Sequence, residues 1–129
     1  FAITAAEVNP ATGAATSLVS STLVVKDAQN AFTSEAAADT FTFREGFATT
    51  DIFAFAATGA SHDLIELDQN LFPGMTVSQF LNSGALTAGA GAGDVDITTS
   101  SGAAIELHDP SGTMTVATLQ THPEDFRFI

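Results

Sequence analysis

The chain of 129 residues contains no cysteine, no tryptophan and no tyrosine, and Phe supplies all 11 of its aromatic side chains. The absence of cysteine excludes disulfide bonds and thiolate metal sites. A cysteine-free acidic chain is compatible with an exported protein that folds around metal ions instead of disulfides. Without Tyr or Trp, the chain has few side chains suited to stacking on sugar rings.

Basic residues are also scarce: three Lys and Arg residues face fifteen Asp and Glu residues, which gives a net charge of −12 at pH 7. Such a chain repels polyanions, so no nucleic-acid partner is expected and anionic lipid surfaces are disfavoured. No apolar run is long enough to span a bilayer, which argues against membrane insertion. The self-repulsion favours bound Ca²⁺, which takes oxygen ligands from carboxylates. The alternative is that the charge confers only solubility.

Short segments that alternate apolar and polar residues recur along the chain, separated by turns rich in Gly, Pro, Asn and Asp. Such alternation is typical of half-buried β-strands. Strands are predicted over residues 17–25, 39–43, 51–55, 64–68, 94–98, 103–108, 113–117 and 126–129. The segments 94–98 and 103–108 are predicted to pair as an antiparallel hairpin. Residues 26–38 suggest a turn and then a helical turn or a loop.

The phenylalanines are predicted to form the core. In the strand 51–55, Asp51, Phe53 and Phe55 share one face and Ile52 and Ala54 the other; both faces are largely apolar, so this strand is predicted to be covered on both sides. The residues assigned to the core are Phe41, Phe43, Phe53, Phe55, Phe72, Phe80, Phe126 and Phe128.

One short helix is predicted near residues 76–83. Thr76 and Gln79 have the spacing of a capping box, and Val77, Phe80 and Leu81 follow as one apolar stripe. A helical turn is also expected to start at Pro123, because proline is favoured at the first helical position.

These elements predict a mainly all-β fold, in which short strands form either a β-roll or solenoid-like cap or a small β-sandwich. Similar pieces begin at Asp39, Asp51 and Asp63, and recurrence at about a dozen residues suggests stacked turns. One compact domain is expected: residues 1–38 pack on or lead into the part formed by residues 39–129.

The order of the motifs over residues 39–129 resembles the C-terminal end of RTX (repeats-in-toxin) proteins, the hemolysin-type calcium-binding proteins exported by bacterial type I secretion. The segments that carry the resemblance are Asp39–Phe43, Gly46–Phe47, His62–Asp68, the helix at Thr76–Leu81, the hairpin at Gly93–Glu106, and Glu124–Phe128. In that family, Gly- and Asp-rich nonapeptides build a parallel β-roll that binds Ca²⁺ between its turns.

The resemblance implies that the chain caps such a roll and carries an uncleaved secretion signal, read by the type I machinery while the chain is unfolded. Glu124, Asp125, Phe126 and Phe128 belong to that signal by resemblance. The chain departs from the family where Ser34–Asp39 lacks the usual glycines, which let turn carbonyls point at the metal. Ala54 stands where the family has Asp, so few calcium sites are expected.

Acidic side chains near the turns are the candidate metal ligands. The candidates are Asp51, Asp63, Glu66, Asp68, Asp94 and Asp96. A calcium cage needs several converging oxygen ligands. The alternative is that these carboxylates cap turns and face water, or, at Asp94 and Asp96, form a solvated face at the start of the hairpin.

No enzyme signature is present. There is no Gly-x-Ser-x-Gly elbow, phosphate loop or dinucleotide fingerprint. His62, His108 and His122 lack the His-x-x-x-His spacing of a helical zinc site, so zinc is not predicted. We therefore expect a secreted, extracellular or cell-surface module that is not an enzyme. The alternative is a self-assembling or adhesive domain that associates with itself or binds a surface polysaccharide.

Overall fold

A computed structural model of the chain describes residues 22–25 and 31–129. The described strands form two sheets that share one hydrophobic core. The first sheet contains β1 (Thr22–Val25), β3 (Thr40–Phe43), β5 (Leu64–Leu67) and β9 (Phe126–Phe128), in that spatial order. All of its pairings are parallel.

The second sheet has the order β2 (Ala31–Thr33), β4 (Thr50–Phe53), β8 (Ala104–His108), β7 (Asp94–Thr98) and β6 (Leu86–Ala88). β2, β4 and β8 pair in parallel, whereas β8, β7 and β6 pair antiparallel. From β1 to β5 the chain therefore passes alternately between the sheets, as in a parallel β-roll, and the antiparallel strands extend one sheet at the far end. The prediction of a mainly all-β fold is confirmed.

The core forms because the strands from β2 to β9 turn apolar residues toward the space between the two sheets. Phe41 of β3 lies in register with Ile65 of β5 and Phe126 of β9, and all three are buried. Ile52, Leu107 and Val95 form the matching row of the second sheet and are fully buried. Removal of a leucine side chain to alanine at such a site costs about 2–5 kcal/mol.

Two short helices and two 3-10 turns surround the end of the roll. Helix α1 spans Val77–Leu81 and begins with the capping box that the sequence predicted, because Thr76 and Gln79 exchange their hydrogen bonds. Helix α2 spans Val116–Gln120, and the 3-10 turns span Gln69–Leu71 and Pro123–Asp125. The turn predicted at Pro123 is confirmed.

Several local predictions were wrong. The strand predicted at 113–117 is replaced by α2, because Thr115 and Thr118 form a capping box that starts a helix. Residues 31–33, predicted to be helical or a loop, form β2 through pairing with β4.

The strand predicted at 17–25 is confirmed at 22–25, and its remainder lies outside the described residues.

The strand predicted over 51–55 ends at Phe53, because Ala54 adopts a positive φ of 59° and reverses the alternation. Phe55 consequently turns into the core with Ile52, whereas Phe53 remains 42% exposed on the opposite face. The outer face of β4 is therefore open, and the prediction that this strand is covered on both sides was wrong. Of the predicted core phenylalanines, Phe53 is exposed and Phe128 is only partly buried.

Candidate functional site

The outer face of the five-stranded sheet carries two rows of polar side chains. The register places Glu106 of β8 between Asp51 of β4 and Asp96 of β7. One step along the strands, His108 lies between Phe53 and Asp94. Because neighbouring strands lie about 5 Å apart, side chains in one row are within contact distance. Register alone therefore brings four carboxylates and one histidine together on this face.

His108 is held through both ring nitrogens. Its Nε2 lies 2.7 Å from Asp51 Oδ1, and its Nδ1 lies 2.9 Å from Asp94 Oδ1. The ring stacks on Phe53 with a centroid separation of 4.7 Å and an interplanar angle of 14°. Both the position and the plane of the imidazole are consequently fixed by neighbours on two adjacent strands.

Three of these residues could hold a metal ion. Asp51, Glu106 and His108 each offer one ligand atom, and the three atoms lie within 4.8 Å of one another. All three side chains are partly exposed. One imidazole nitrogen and two carboxylate oxygens form a mixed donor set of the kind that binds divalent metals in proteins.

Hydrogen bonds and burial shift the pKa values of Asp51, Glu106 and His108 in this cluster. A hydrogen bond accepted from the His108 ring lowers the pKa of Asp51, against the opposing effect of burial. A hydrogen bond that the Glu106 carboxyl donates to Asp51, together with burial, raises the pKa of Glu106. Burial opposes protonation of His108, but its hydrogen bonds to Asp51 and Asp94 raise its pKa overall. The cluster therefore favours a proton on His108 or Glu106 over one on Asp51.

Of the residues that the sequence nominated, the structure brings Asp51, Asp94 and Asp96 together on this face. Asp51 is one of the three residues of the metal-ligand group, and Asp94 binds the opposite nitrogen of the same imidazole. Asp96 lies beside Glu106 in the adjoining row. The remaining candidates, Asp63, Glu66 and Asp68, lie just before, within and just after β5 of the other sheet.

Asp63 is fully buried just before β5, and its oxygens are occupied by protein donors. It accepts hydrogen bonds from Ser34 Oγ at 2.7 Å, from the Asp39 amide at 2.9 Å and from the Ala56 amide at 2.8 Å. Burial raises its pKa in spite of these bonds. Asp63 therefore links successive turns of the roll as an internal acceptor.

Glu66 and Asp68 lie near basic side chains. Glu66 accepts hydrogen bonds from Thr42 Oγ1 at 2.7 Å and from Arg127 Nε at 2.8 Å, and the arginine lowers its pKa. Asp68 caps a 3-10 turn by accepting the Asn70 amide, and one of its oxygens lies 4.0 Å from Arg44 Nη1. These two carboxylates consequently have partners without a metal.

The residues assigned to the secretion signal fold into the last 3-10 turn and β9. Asp125 and Phe126 are buried, Phe128 is partly buried, and Glu124 is exposed. Asp125 Oδ1 lies 2.7 Å from His62 Nδ1, yet among the described residues neither carboxylate oxygen accepts a well-oriented hydrogen bond. Burial raises the pKa of Asp125 to about 6.

Glu106 and His108 were not identified as metal ligands from the sequence, because the histidines were tested only against the His-x-x-x-His spacing of a helical zinc site. The His-x-x-x-His spacing applies to a helix, whereas this histidine receives its partners from neighbouring strands. The predicted hairpin held the necessary information: once residues 94–98 and 103–108 pair, Asp94 falls opposite His108 and Asp96 opposite Glu106. The parallel pairing of β8 with β4, which adds Asp51, could not be predicted from the sequence and is seen only in the structure.

Comparisons with protein-family models, with curated proteins and with solved structures return no match. Among residues 22–25 and 31–129, no helix has both the length and the apolar character needed to cross a bilayer.

Proposed function

We propose that the chain is a non-catalytic cap at the end of a parallel β-roll in a secreted protein similar to RTX proteins. The observation that carries this proposal is the alternation of parallel strands between the two sheets from β1 to β5. β1 and β2 are the outermost described strands at the same end of the two sheets. Preceding turns of a roll would continue both parallel ladders at this end.

The opposite end of the roll has the features of a closure. There, α1 lies against β9 and α2, and α2 lies against β6. The β6–β7–β8 meander replaces the parallel pattern, so a further parallel turn has no equivalent strand to follow. Blocking an exposed sheet edge prevents pairing with other chains, which is the physical benefit of a cap.

We also propose that Glu124, Asp125, Phe126 and Phe128 form part of a type I secretion signal. Asp125 is fully buried and Phe126 is 5% exposed in the folded domain. An export receptor could therefore contact the Asp125 and Phe126 side chains only before the domain folds. This fits a transporter that takes unfolded chains and folding that is completed outside the cell.

Export measured with a co-expressed type I exporter tests this proposal. The chain, fused behind a reporter, is compared with a form lacking residues 124–129 and with Leu119→Ala. Leu119 is fully buried in α2, so its truncation weakens the same cap without altering the tail. We expect the deletion to abolish export and Leu119→Ala to preserve it. Normal export of the deletion, or equal loss in both forms, would contradict the signal.

Calcium is the cation that we propose stabilises the secreted domain. The net charge of −12 and the carboxylates of Asp51, Asp96 and Glu106 on one face support it, since hard oxygen ligands suit Ca²⁺. A ligand that binds only the native state raises the melting temperature. An unchanged melting temperature in about 5 mM Ca²⁺, well above the dissociation constants of extracellular calcium modules, would remove calcium from the proposal.

A further inference from the structure

We propose that Asp51, Glu106 and His108 form a binding site for a divalent transition-metal ion such as Zn²⁺, with Asp94 as the residue that positions the histidine. This site shares Asp51 and Glu106 with the carboxylates that support calcium binding above, and it differs in requiring an imidazole nitrogen as a ligand. It also involves none of the residues of the export signal. Its presence can therefore be tested whether or not the chain is a cap.

The donor set selects the class of metal. Ca²⁺ takes six to eight oxygen ligands and makes little use of imidazole, whereas Zn²⁺ binds His nitrogen and Asp or Glu oxygen in a four-coordinate arrangement. His108 contributes a nitrogen, and Asp51 and Glu106 contribute one oxygen each. Three protein ligands satisfy a zinc ion that keeps a water molecule in its fourth position, but they leave a calcium ion short of ligands.

The geometry needs only a small adjustment. The three ligand atoms lie within 4.8 Å of one another, and Asp51 Oδ1 lies 2.7 Å from His108 Nε2. In a tetrahedral zinc site with bonds of about 2.0–2.1 Å, ligand atoms lie roughly 3.3 Å apart. A metal that replaces the proton between Asp51 and His108 would require movements of about an ångström or less, which side-chain rotation supplies while the paired strands stay fixed.

The histidine is already oriented for coordination through Nε2. Its Nδ1 lies 2.9 Å from Asp94 Oδ1, which matches the carboxylate–histidine–metal arrangement found around protein metal sites. Phe53 stacks on the ring and restricts its rotation. Asp94 and Phe53 thus hold Nε2 toward Asp51, and neither residue needs to touch the metal.

The site is open to solvent. The His108 and Asp51 side chains are 25% and 32% exposed. A shallow depression of about 330 Å³ adjoins His108 on the side of Phe53 and Asp94, and Asp51 and Glu106 do not line it. The exposure of the His108 and Asp51 side chains lets an ion reach the ligand atoms without local unfolding and leaves the fourth position open to a water molecule.

Calorimetric titration of the EDTA-treated chain with ZnCl₂ and with CaCl₂ tests the proposal. We expect one Zn²⁺ per chain with a dissociation constant at or below about 10 µM, and much weaker binding of Ca²⁺. His108→Gln and Glu106→Gln should weaken Zn²⁺ binding by roughly 100-fold, and Asp94→Asn by roughly 10-fold. Co²⁺ substitution should give the intense visible absorption of a tetrahedral site, and this absorption should disappear in His108→Gln.

Asp96→Asn and His122→Gln are the matched controls. Asp96 lies beside Glu106 but outside the ligand group, and His122 lies in the chain segment that precedes β9. Both should bind Zn²⁺ within about three-fold of the parent, and circular dichroism establishes that each variant is folded. The proposal is overturned if the parent binds no Zn²⁺ at 100 µM, roughly ten times the expected constant. It is also overturned if Asp96→Asn weakens binding as much as Glu106→Gln, or if folded His108→Gln and Glu106→Gln both bind normally.

Discussion

Replacement of Asp125 by asparagine should change how the stability of the domain depends on pH. Asp125 is fully buried, and the charged groups nearest to it are His62, His122 and Glu124. Burial raises its pKa from 3.8 to about 6, and the attraction of His62 only partly opposes this shift. In the unfolded chain the carboxyl regains an ordinary pKa.

The sign and size of the effect follow from linkage. Because the folded-state pKa is the higher one, the carboxyl contributes stability below about pH 4 that is lost as the pH rises through about 6. A shift of roughly two units corresponds to about 3 kcal/mol in the free energy of unfolding. Asp125→Asn cannot ionise, so its stability relative to the parent should rise by about that amount between pH 4 and pH 7.

Urea unfolding followed by far-ultraviolet circular dichroism at a series of pH values measures this difference, since the chain has no Trp or Tyr for fluorescence. Glu124→Gln is the matched control, because it removes the same charge from an exposed neighbour and should retain the pH-dependent loss. If the stability of Asp125→Asn runs parallel to that of the parent from pH 4 to 7, the carboxyl does not ionise in a buried environment and the reasoning fails.

Four further substitutions test the fold. Gly93→Ala should lower the free energy of unfolding by about 3 kcal/mol or more, since φ is +84° and the new Cβ would lie 2.8 Å from Gly112 Cα. Gly59→Ala, with a φ of +98° but open space around the new Cβ, should lower it by only about 1 kcal/mol in the same urea assay. Asp109→Ala should cost about 2 kcal/mol, because hydrogen bonds from the following loop outweigh burial and lower its pKa to about 2; an unchanged urea midpoint would contradict this. Asp63→Ala should cost about 3 kcal/mol by leaving buried donors without an acceptor, and retained thermal stability would refute its role as a link between turns.

Local sequence patterns were enough to predict much of the fold. The alternation in 39–43 placed Phe41 and Phe43 in the core, and the capping box at Thr76 placed the first residue of α1. Both depend on residues a few positions apart, so no distant contact was needed. The hairpin of β7 and β8 was predictable for the same reason.

The predictions failed where a distant partner or an unusual backbone angle decides the structure. Residues 31–33 become a strand only through pairing with β4, and Phe53 is exposed because Ala54 takes a positive φ that alternation cannot indicate. The metal-ligand group depends on the same long-range pairing, since Asp51 joins Glu106 and His108 only through the β4–β8 register. Asp51 was already a candidate ligand from the sequence, whereas Glu106 and His108 were not.

The parallel pairing of β4 with β8 has a kinetic consequence. Asp51 and Glu106 are neighbours in the structure, although β5, α1, β6 and β7 separate them in the chain. Joining strands across so long an intervening loop is entropically unfavourable, and topologies dominated by such contacts fold in milliseconds to seconds rather than microseconds. A newly made chain would thus stay extended for longer than one with mostly local contacts, as the proposed export of an unfolded chain requires.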